Sequence, residues 1–369
     1  MVSNSGLHAT YLGPILEHHG HAAANLLQIL REAQEHYGYI HPDAVDYLGA
    51  ELHIPRSRIE GVATFYSFLH LQPHGEYCVL FSDNITDRML GSTVLTQQMC
   101  QQMWVEPGKV SEDGLLSVNT TSCTGMCDQG PAMLVNGRAI TRLTQQRVQE
   151  IGLLIRNRTP LSDWPADFFR VDDNIRRKGL LLDSTLVSGE VLRAAQAMGA
   201  PNIVEVIKQS GLRGRGGAGF PTGLKWESCR NAQGTKHYVV CNADEGEPGT
   251  FKDRVLLTCC SDLLFEGMTL CALAVGATQG YLYLRGEYRY LLEPLQAVLQ
   301  RRRNTNLLGK NILGKRGFDF DIAIHLGAGA YICGEESALI ESLEGKRGVP
   351  RNRPPFPVTH GYLQQPTAV

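Results

Sequence analysis

The stretch "GLRGRGGAGFPTGLKW" (211–226) decides how this chain is read. Glycine stands at 211, 214, 216, 217 and 219, with Arg213 and Arg215 between them and Lys225 and Trp226 behind. Consecutive residues without Cβ let backbone N–H groups converge on an anion and let a flat ring lie against the chain. Arg215 and Lys225 add positive charge suited to a phosphate. Gly214 to Gly219 satisfies G-x-G-x-x-G, yet helix-like "NIVEVIKQSG" precedes it where the dinucleotide fingerprint requires a strand. The expectation is a ligand-cradling glycine loop outside the standard Rossmann arrangement.

Two further stretches share its character. Strand-like "KHYVVCN" runs into "CNADEGEPGTFKDR" (241–254), where Asn242, Asp244, Glu245, Glu247 and Asp253 gather acceptors at a strand's C-terminal end, the place where α/β folds hold ligands. Ribityl or ribose hydroxyls suit such a loop, and a Mg2+ or Ca2+ ion is the alternative use of its carboxylates. "HLGAGAYICGEESALIESLEG" again reads strand, glycine-rich turn, helix, with Tyr331, Gly334, Glu335 and Glu336 at the turn. Acids at a helix N-terminus also stabilise the helix dipole, and a tyrosine there also serves as a core residue.

Outward from these loops the chain divides. Residues 1–72 carry apolar positions at helical spacing, punctuated by Pro42 and Pro55, and read as a bundle of short helices. Residues 73–156 mix strand-like "YCVLFS", "LLSVNTT" and "AMLVNGRAIT" with helical "GSTVLTQQMCQQMW" and "QQRVQEIGLLIR", a small α/β domain. Residues 157–180 lack a period and read as a linker. Residues 181–369 alternate strands ("KHYVVCN", "GYLYLRG", "FDFDIAIHLG") with helices, one of which, "GEVLRAAQAMGAPNIVEVIKQSG", leads into the glycine loop. That alternation predicts a largely buried α/β sheet.

At 369 residues, 43% hydrophobic and 20% charged, the composition is that of globular protein. A formal charge of −2 gives no footprint for nucleic acid or an anionic membrane, and the run Arg301–Arg303 reads as a solvated helix end. Met268–Ala277 is too short to span a bilayer, and a cytoplasmic location without membrane insertion is expected. Ten cysteines without a secretory signal point to thiols or cluster ligands rather than disulfides. Cys229, Cys259, Cys260 and Cys271 are expected simply to pack.

With "RGEY" (285–288) and "PPFP" (354–357), the three loops resemble the flavin-binding subunit of respiratory complex I and the diaphorase subunits of NAD-reducing hydrogenases and NAD-dependent formate dehydrogenases. The resemblance runs from about residue 185 to the last residue. It implies a non-classical Rossmann-like α/β domain, incomplete at its C-terminus, in which FMN is held by Gly214, Arg215, Gly216, Gly217, Lys225, Asn242, Asp244, Glu245, Tyr331, Gly334 and Glu335. It implies NAD(H) contacts from Phe220, Glu247, Glu336 and Phe356. No side chain is expected to act as a catalytic acid or base, because FMN carries the chemistry. Ser228 and Arg353 stand where the family often has an aromatic residue and a lysine.

The first part, through "LREAQEHYGYIHPDAVDYLG", "GVATFYSF" and "SCTGMCDQGPAMLVNG", resembles the thioredoxin-like [2Fe-2S] subunit of the same complexes. That family holds its cluster with four cysteines, since each iron takes two thiolates. Cys123 and Cys127 match the second pair, whereas Ser82 and Asp87 occupy the places of the first. The resemblance therefore implies an incomplete [2Fe-2S] set in a vestigial domain kept for docking. Fusion of the two parts resembles the hydrogenase diaphorase subunits most. It implies iron–sulfur and hydrogenase partner subunits, and a chain that stops before the family's [4Fe-4S] motif. The alternatives are a non-catalytic docking or assembly fragment, or the flavin subunit of a complex I-like or formate dehydrogenase assembly.

Overall fold

A computed structural model describes residues 5–369, with side chains from residue 10 onward. The first four residues of the expected 1–72 segment lie outside the described residues. Four helices come first: α1 Ser5–His18, α2 Leu26–Tyr37, α3 Pro42–Leu52 and α4 Arg56–Ala63. Gly38 ends α2 at φ 78°, and Pro42 opens α3 with its ring in the first turn, where no N–H is missed.

The next unit contains β1 Tyr77–Ser82, α5 Ile85–Met89, α6 Ser92–Met103, β2 Leu116–Thr121, β3 Met133–Val135, β4 Arg138–Ile140 and α7 Gln145–Arg156. Its sheet has the order β2-β1-β3-β4, with β1 parallel to β2 and antiparallel to β3. The strand-like "AMLVNGRAIT" is in fact a hairpin. Asn136 and Gly137 sit at φ 46° and 76° between paired Val135 and Arg138, the tight two-residue turn that an Asn-Gly step favours. Residues 157–180 hold two 3-10 turns and neither α-helix nor strand.

The expected helix before the glycine loop is two helices, α8 Glu190–Met198 and α9 Ala200–Gln209. Gly199, at φ 84° and ψ 153°, cannot continue a helix, and Pro201 starts the next one. Then follow α10 Thr222–Asn231, β5 Tyr238–Ala243, α11 Lys252–Cys259, α12 Ser261–Val275, β6 Gln279–Leu284, α13 Leu292–Asn304, β7 Asp321–Leu326, α14 Glu336–Leu343 and β8 Thr367–Ala368. These strands form one parallel sheet of order β7-β6-β5-β8.

Alternate residues of the second sheet face two different helical layers. Val239, Leu282, Leu284 and Ile322 share a core with Leu192, Ile203, Phe265 and Leu295 of the helices that follow the linker. Tyr238, Val240 and Tyr283 share another with Leu16, Leu27, Leu30 and Leu48 of the N-terminal helices and with Leu339 and Ile340 of α14. The first helices are therefore not a bundle with a core of its own but the second cover of a parallel sheet that needs both faces buried. Polar ties cross the same boundary. Tyr66 donates to Ser342 Oγ at 2.7 Å, and Gln28 Nε2 donates to the Leu326 carbonyl at 2.9 Å.

Two expectations fail here. Arg302 is not solvated but 1% exposed, paired with Asp262 at 3.1 Å and Glu266 at 3.3 Å, so the triple-arginine helix end includes a buried ion pair. Cys229 and Cys271 are buried as expected, whereas Cys259 is exposed and Cys260 half-buried. Among the described residues no single helix is long and apolar enough to cross a membrane.

Candidate functional site

The glycine loop leaves α9 and returns into α10. Its neck is closed by Gly214 N–H to Phe220 O and Thr222 N–H to Leu212 O, both at 2.9 Å. Beyond the neck, Gly217 at φ 117° and Gly219 at φ 63° hold conformations that only glycine adopts without strain, and a Cβ at 216, 217 or 219 would meet nothing within 4 Å. The crown of the loop thus stands open. Among the described residues Arg215, exposed on this crown, has no hydrogen-bond or ion-pair partner in the protein.

The strand-end loops are tied to it and to each other. Lys225 Nζ on α10 lies 3.2 Å from Glu336 Oε2 at the start of α14, and 3.2 Å from the Val369 carbonyl. Asn242 Nδ2 donates to the Gly334 carbonyl at 2.8 Å. The Tyr331 hydroxyl donates to Glu247, and the Tyr331 ring lies so close to Gly246 that a Cβ there would come within 2.8 Å of Cδ2. Glu335 caps α14, its Oε2 accepting from the N–H groups of Ser337 and Ala338 at 3.0 Å each. Arg353, at the place of the family's lysine, reaches Glu336 at 3.2 Å and Glu335 at 3.3 Å.

The candidate residues differ in what remains free. Asp244 is half-buried, yet its Oδ2 is closed off from solvent without a hydrogen bond. Burial first, and then Glu287, pushes its carboxyl up to about 8, against Arg285. Glu245 is turned inward instead. One of its oxygens accepts from Asp253 N–H at 2.9 Å and the other from Tyr288 at 2.8 Å, so its carboxylate is held as the cap of α11 rather than offered to a ligand. Phe220, Tyr331 and Phe356 remain 51%, 59% and 52% exposed, an apolar offering beside polar loops. A separate polar cavity of about 410 Å³, lined by Arg142, Arg147 and Arg170 among others, lies on the first sheet's unit, where these arginines are paired with Asp167 and Asp172.

The second constellation is the cysteine site. Ser82, Asp87, Cys123 and Cys127 do converge, around the side chain of Asn84. Its Nδ2 lies 2.8 Å from Ser82 Oγ, 2.5 Å from Asp87 Oδ2 and 3.6 Å from each sulfur. Asp87 is fully buried, and its other oxygen accepts from Ala132 N–H at 3.0 Å. The sulfurs of Cys123 and Cys127 are 3.4 Å apart. Their shared hydrogen bond lowers the Cys123 thiol, helped by Gly125 N–H and Arg285 against burial, and the same bond, followed by burial, raises Cys127. A [2Fe-2S] cluster does not fit this set: the thiolates number two where four are needed, and an amide occupies the centre.

Sequence reasoning missed the residues that join the two constellations. Arg285, 3% exposed, donates to the carbonyls of Cys123, at 2.8 Å, and Glu245, while pairing with Glu287. Arg254, 1% exposed, pairs with Asp128 at 2.8 Å. Gly249 N–H donates to Cys127 Sγ at 3.2 Å. Gly125, at φ 76°, allows the cysteine loop to lie on the Tyr288 ring, where a Cβ would approach within 2.5 Å. The "RGEY" stretch was the available signal, an Arg-Glu pair at a strand end inside an apolar core.

Comparison with known proteins follows the same division. Residues 207–366 match the family described as Nuo51 FMN-binding domain, and residues 12–154 match thioredoxin-like [2Fe-2S] ferredoxin. The ferredoxin-type match takes in the N-terminal helices, and the Nuo51-type match takes in all three ligand loops. The chain is 42% identical to the NAD-reducing hydrogenase HoxS subunit alpha of Cupriavidus necator, over 96% of this chain and 61% of that one. It is 47% identical to an NADH-quinone oxidoreductase subunit of Rhizobium meliloti, over 52% of this chain and 46% of that one. A crystal structure of an NAD+-reducing [NiFe]-hydrogenase in the air-oxidised state superposes with a TM-score of 0.87 at 42% identity, covering 95% of this chain and 59% of that chain. The chain thus spans about three-fifths of the hydrogenase relatives it matches.

Proposed function

We propose that the chain is the NAD(H):FMN oxidoreductase, or diaphorase, module of an NAD-reducing [NiFe] hydrogenase in the cytoplasm. It exchanges a hydride between NAD(H) and FMN and passes electrons to or from iron–sulfur partner subunits. The observation that carries this reading is the Nuo51-like cleft: three cross-tied loops in which Arg215 on the glycine crown has no partner among the described residues and Asp244 Oδ2 in the acidic loop is shielded without a hydrogen bond.

The residues fit FMN. The N–H groups of Gly216 and Gly217 with Arg215 suit its phosphate, Gly214 serving the loop by closing its neck, Asn242 and Asp244 suit ribityl hydroxyls, and the open glycine backbone leaves room for a flat ring. FMN, when bound, supplies hydride exchange and single-electron release. The chain's own part is binding and orientation. Lys225 holds Glu336 in place, and Arg353 screens it. Tyr331 holds Glu247 at the rim, where its carboxylate suits the nicotinamide nucleotide's ribose hydroxyls and repels a 2′-phosphate. Phe220 and Phe356 give the nucleotide apolar faces. Glu245 acts from beneath, fixing the start of α11 and hence the acidic loop.

The test is an anaerobic NADH titration of the chain with added FMN, following the flavin absorbance band. Bleaching of the band is the expected result. Flavin that stays unbound, or bound flavin that NADH leaves oxidised, overturns the reading.

A further inference from the structure

The cysteine site has lost its cluster set but kept two sulfurs in a reactive arrangement. Cys123 is fully buried, and Cys127 is half-buried and open to a small oxidant. Closing their 3.4 Å gap to the ~2.05 Å of a disulfide asks each sulfur to move by about 0.7 Å. The loop between them is neither helix nor strand, so no backbone ladder resists that movement. Cys127 Sγ is also the acceptor for Gly249 N–H, two residues beyond Glu247. One of the two sulfurs that move is thus a fastening point of the acidic loop.

We propose that Cys123 and Cys127 are a peroxide-responsive dithiol whose closure to a disulfide frees the Gly249 N–H and loosens the loop carrying Glu247. The consequence for NAD(H) rests on the function proposed above, whereas the dithiol chemistry does not. In the first step the sulfur of Cys127, the more exposed of the two, attacks hydrogen peroxide, the S–O bond forms, the O–O bond breaks, and the thiol proton leaves with the departing hydroxide as water, giving a sulfenic acid. In the second, Cys123 sulfur attacks the Cys127 sulfur, the S–S bond forms, the S–O bond breaks, and the Cys123 proton leaves with the hydroxyl as a second water. Two thiols are oxidised by two electrons and one peroxide is reduced to two waters. A dithiol reductant reverses the change by exchange. In the closed form Cys127 sulfur is drawn toward Cys123 and away from Gly249.

The pair lies within one tryptic peptide, since no Lys or Arg separates Ser122 from Gly137. The chain is treated anaerobically with one equivalent of hydrogen peroxide, alkylated and mapped by mass spectrometry. The expected peptide is two hydrogens lighter, resists alkylation at both cysteines and is restored by dithiothreitol. Deuterium uptake at residues 246–250 rises on oxidation and falls on reduction, a readout that needs neither flavin nor nucleotide. NAD(H) affinity of the FMN-loaded chain falls about fivefold, as loss of one net hydrogen bond implies. Cys123→Ser and Cys127→Ser each abolish the oxidised-to-reduced difference.

Several outcomes overturn the proposal: two alkylatable cysteines after peroxide, a sulfinic acid on one of them alone, or stoichiometric iron on the chain as isolated. Disulfide formation with unchanged deuterium uptake rejects the coupling to the acidic loop. If the reduced chain binds no NAD(H), the functional reading fails and takes the affinity effect with it, while peptide mass and deuterium uptake still decide the rest.

Discussion

The glycine cleft and the cysteine site sit on adjoining loops and treat their polar groups in opposite ways. In the cleft, Arg215 lacks a partner among the described residues, Asp244 Oδ2 lacks a hydrogen bond and three aromatic rings stand half exposed. In the cysteine site, Asn84 reaches Ser82, Asp87 and both sulfurs, and Asp87 takes a backbone N–H besides. Buried polar groups are ordinarily satisfied, so a shielded orphan marks a place where a ligand completes the structure. At the centre between Ser82, Asp87 and the two sulfurs the Asn84 amide already fills the space, although Thr124 Oγ1 in the adjoining cysteine loop is buried without a hydrogen bond. Family resemblance covers both regions equally; an open loop crown in one and a side chain filling the centre of the other separate them.

The comparison breaks most sharply if the cysteine site can be reopened. The triple variant Ser82→Cys, Asn84→Gly, Asp87→Cys restores four thiolates and empties the centre, and should take up about two irons per chain with a [2Fe-2S] absorbance spectrum. Failure to bind iron with an intact fold would show that the loss of the cluster involves more than these three side chains. Next in size, Gly217→Val forces a β-branched residue to φ 117°. FMN affinity should fall by about 10- to 100-fold, from strain on the order of 1–3 kcal/mol. The melting temperature should stay close to wild type, because the loop crown buries nothing.

Smaller effects sharpen the reading of the cleft. Glu247→Gln removes the carboxylate held by Tyr331 and should retain FMN while raising NADPH use about tenfold, measured as kcat/KM with an artificial acceptor. Equal NADPH rates in wild type and variant would reject a discriminating role. Asp244 supplies a pH signature in the flavin-free chain. Its folded pKa, about 8, lies above its unfolded value near 4, so between them the native state binds more protons than the unfolded one. Stability should fall as pH rises from about 4 to about 8 and level off above. Asp244→Asn should flatten that slope in melting curves across the window, and an unchanged slope assigns the titration to other groups.

What was legible in the sequence follows the range of the forces involved. β1, β5, β6 and β7 and the helices α6, α7 and α12 are dense local patterns of apolar residues, and they lie where the patterns put them. The Asn136-Gly137 turn and the Gly199 break are also local signals, overlooked inside longer apolar runs. Arg302 misleads because its partners, Asp262 and Glu266, lie on another helix some forty residues away. The two-residue β8 carries no pattern and pairs with β5 through Thr367 opposite Tyr238 and Ala368 opposite Val239, Pro366 O accepting from Tyr238 N–H at 2.9 Å beside them. Of the sites, the three loops and their mutual nearness could be read from glycine and strand ends. The inward turn of Glu245, the amide at the cysteine centre and the Gly249 tie depend on side-chain geometry between segments far apart in sequence.

The N-terminal helices carry a consequence for the order in which the protein is made. Their apolar stripe closes on Tyr238, Val240 and Tyr283. On a ribosome adding roughly 5–20 residues per second, those strands appear on the order of ten seconds after the helices have emerged. During that interval Leu16, Leu27 and Leu30 have no sheet to cover, and the nascent chain presents an apolar surface that chaperones recognise. A fusion that places the cover before the thing it covers ties the birth of the first helices to the completion of the last strands.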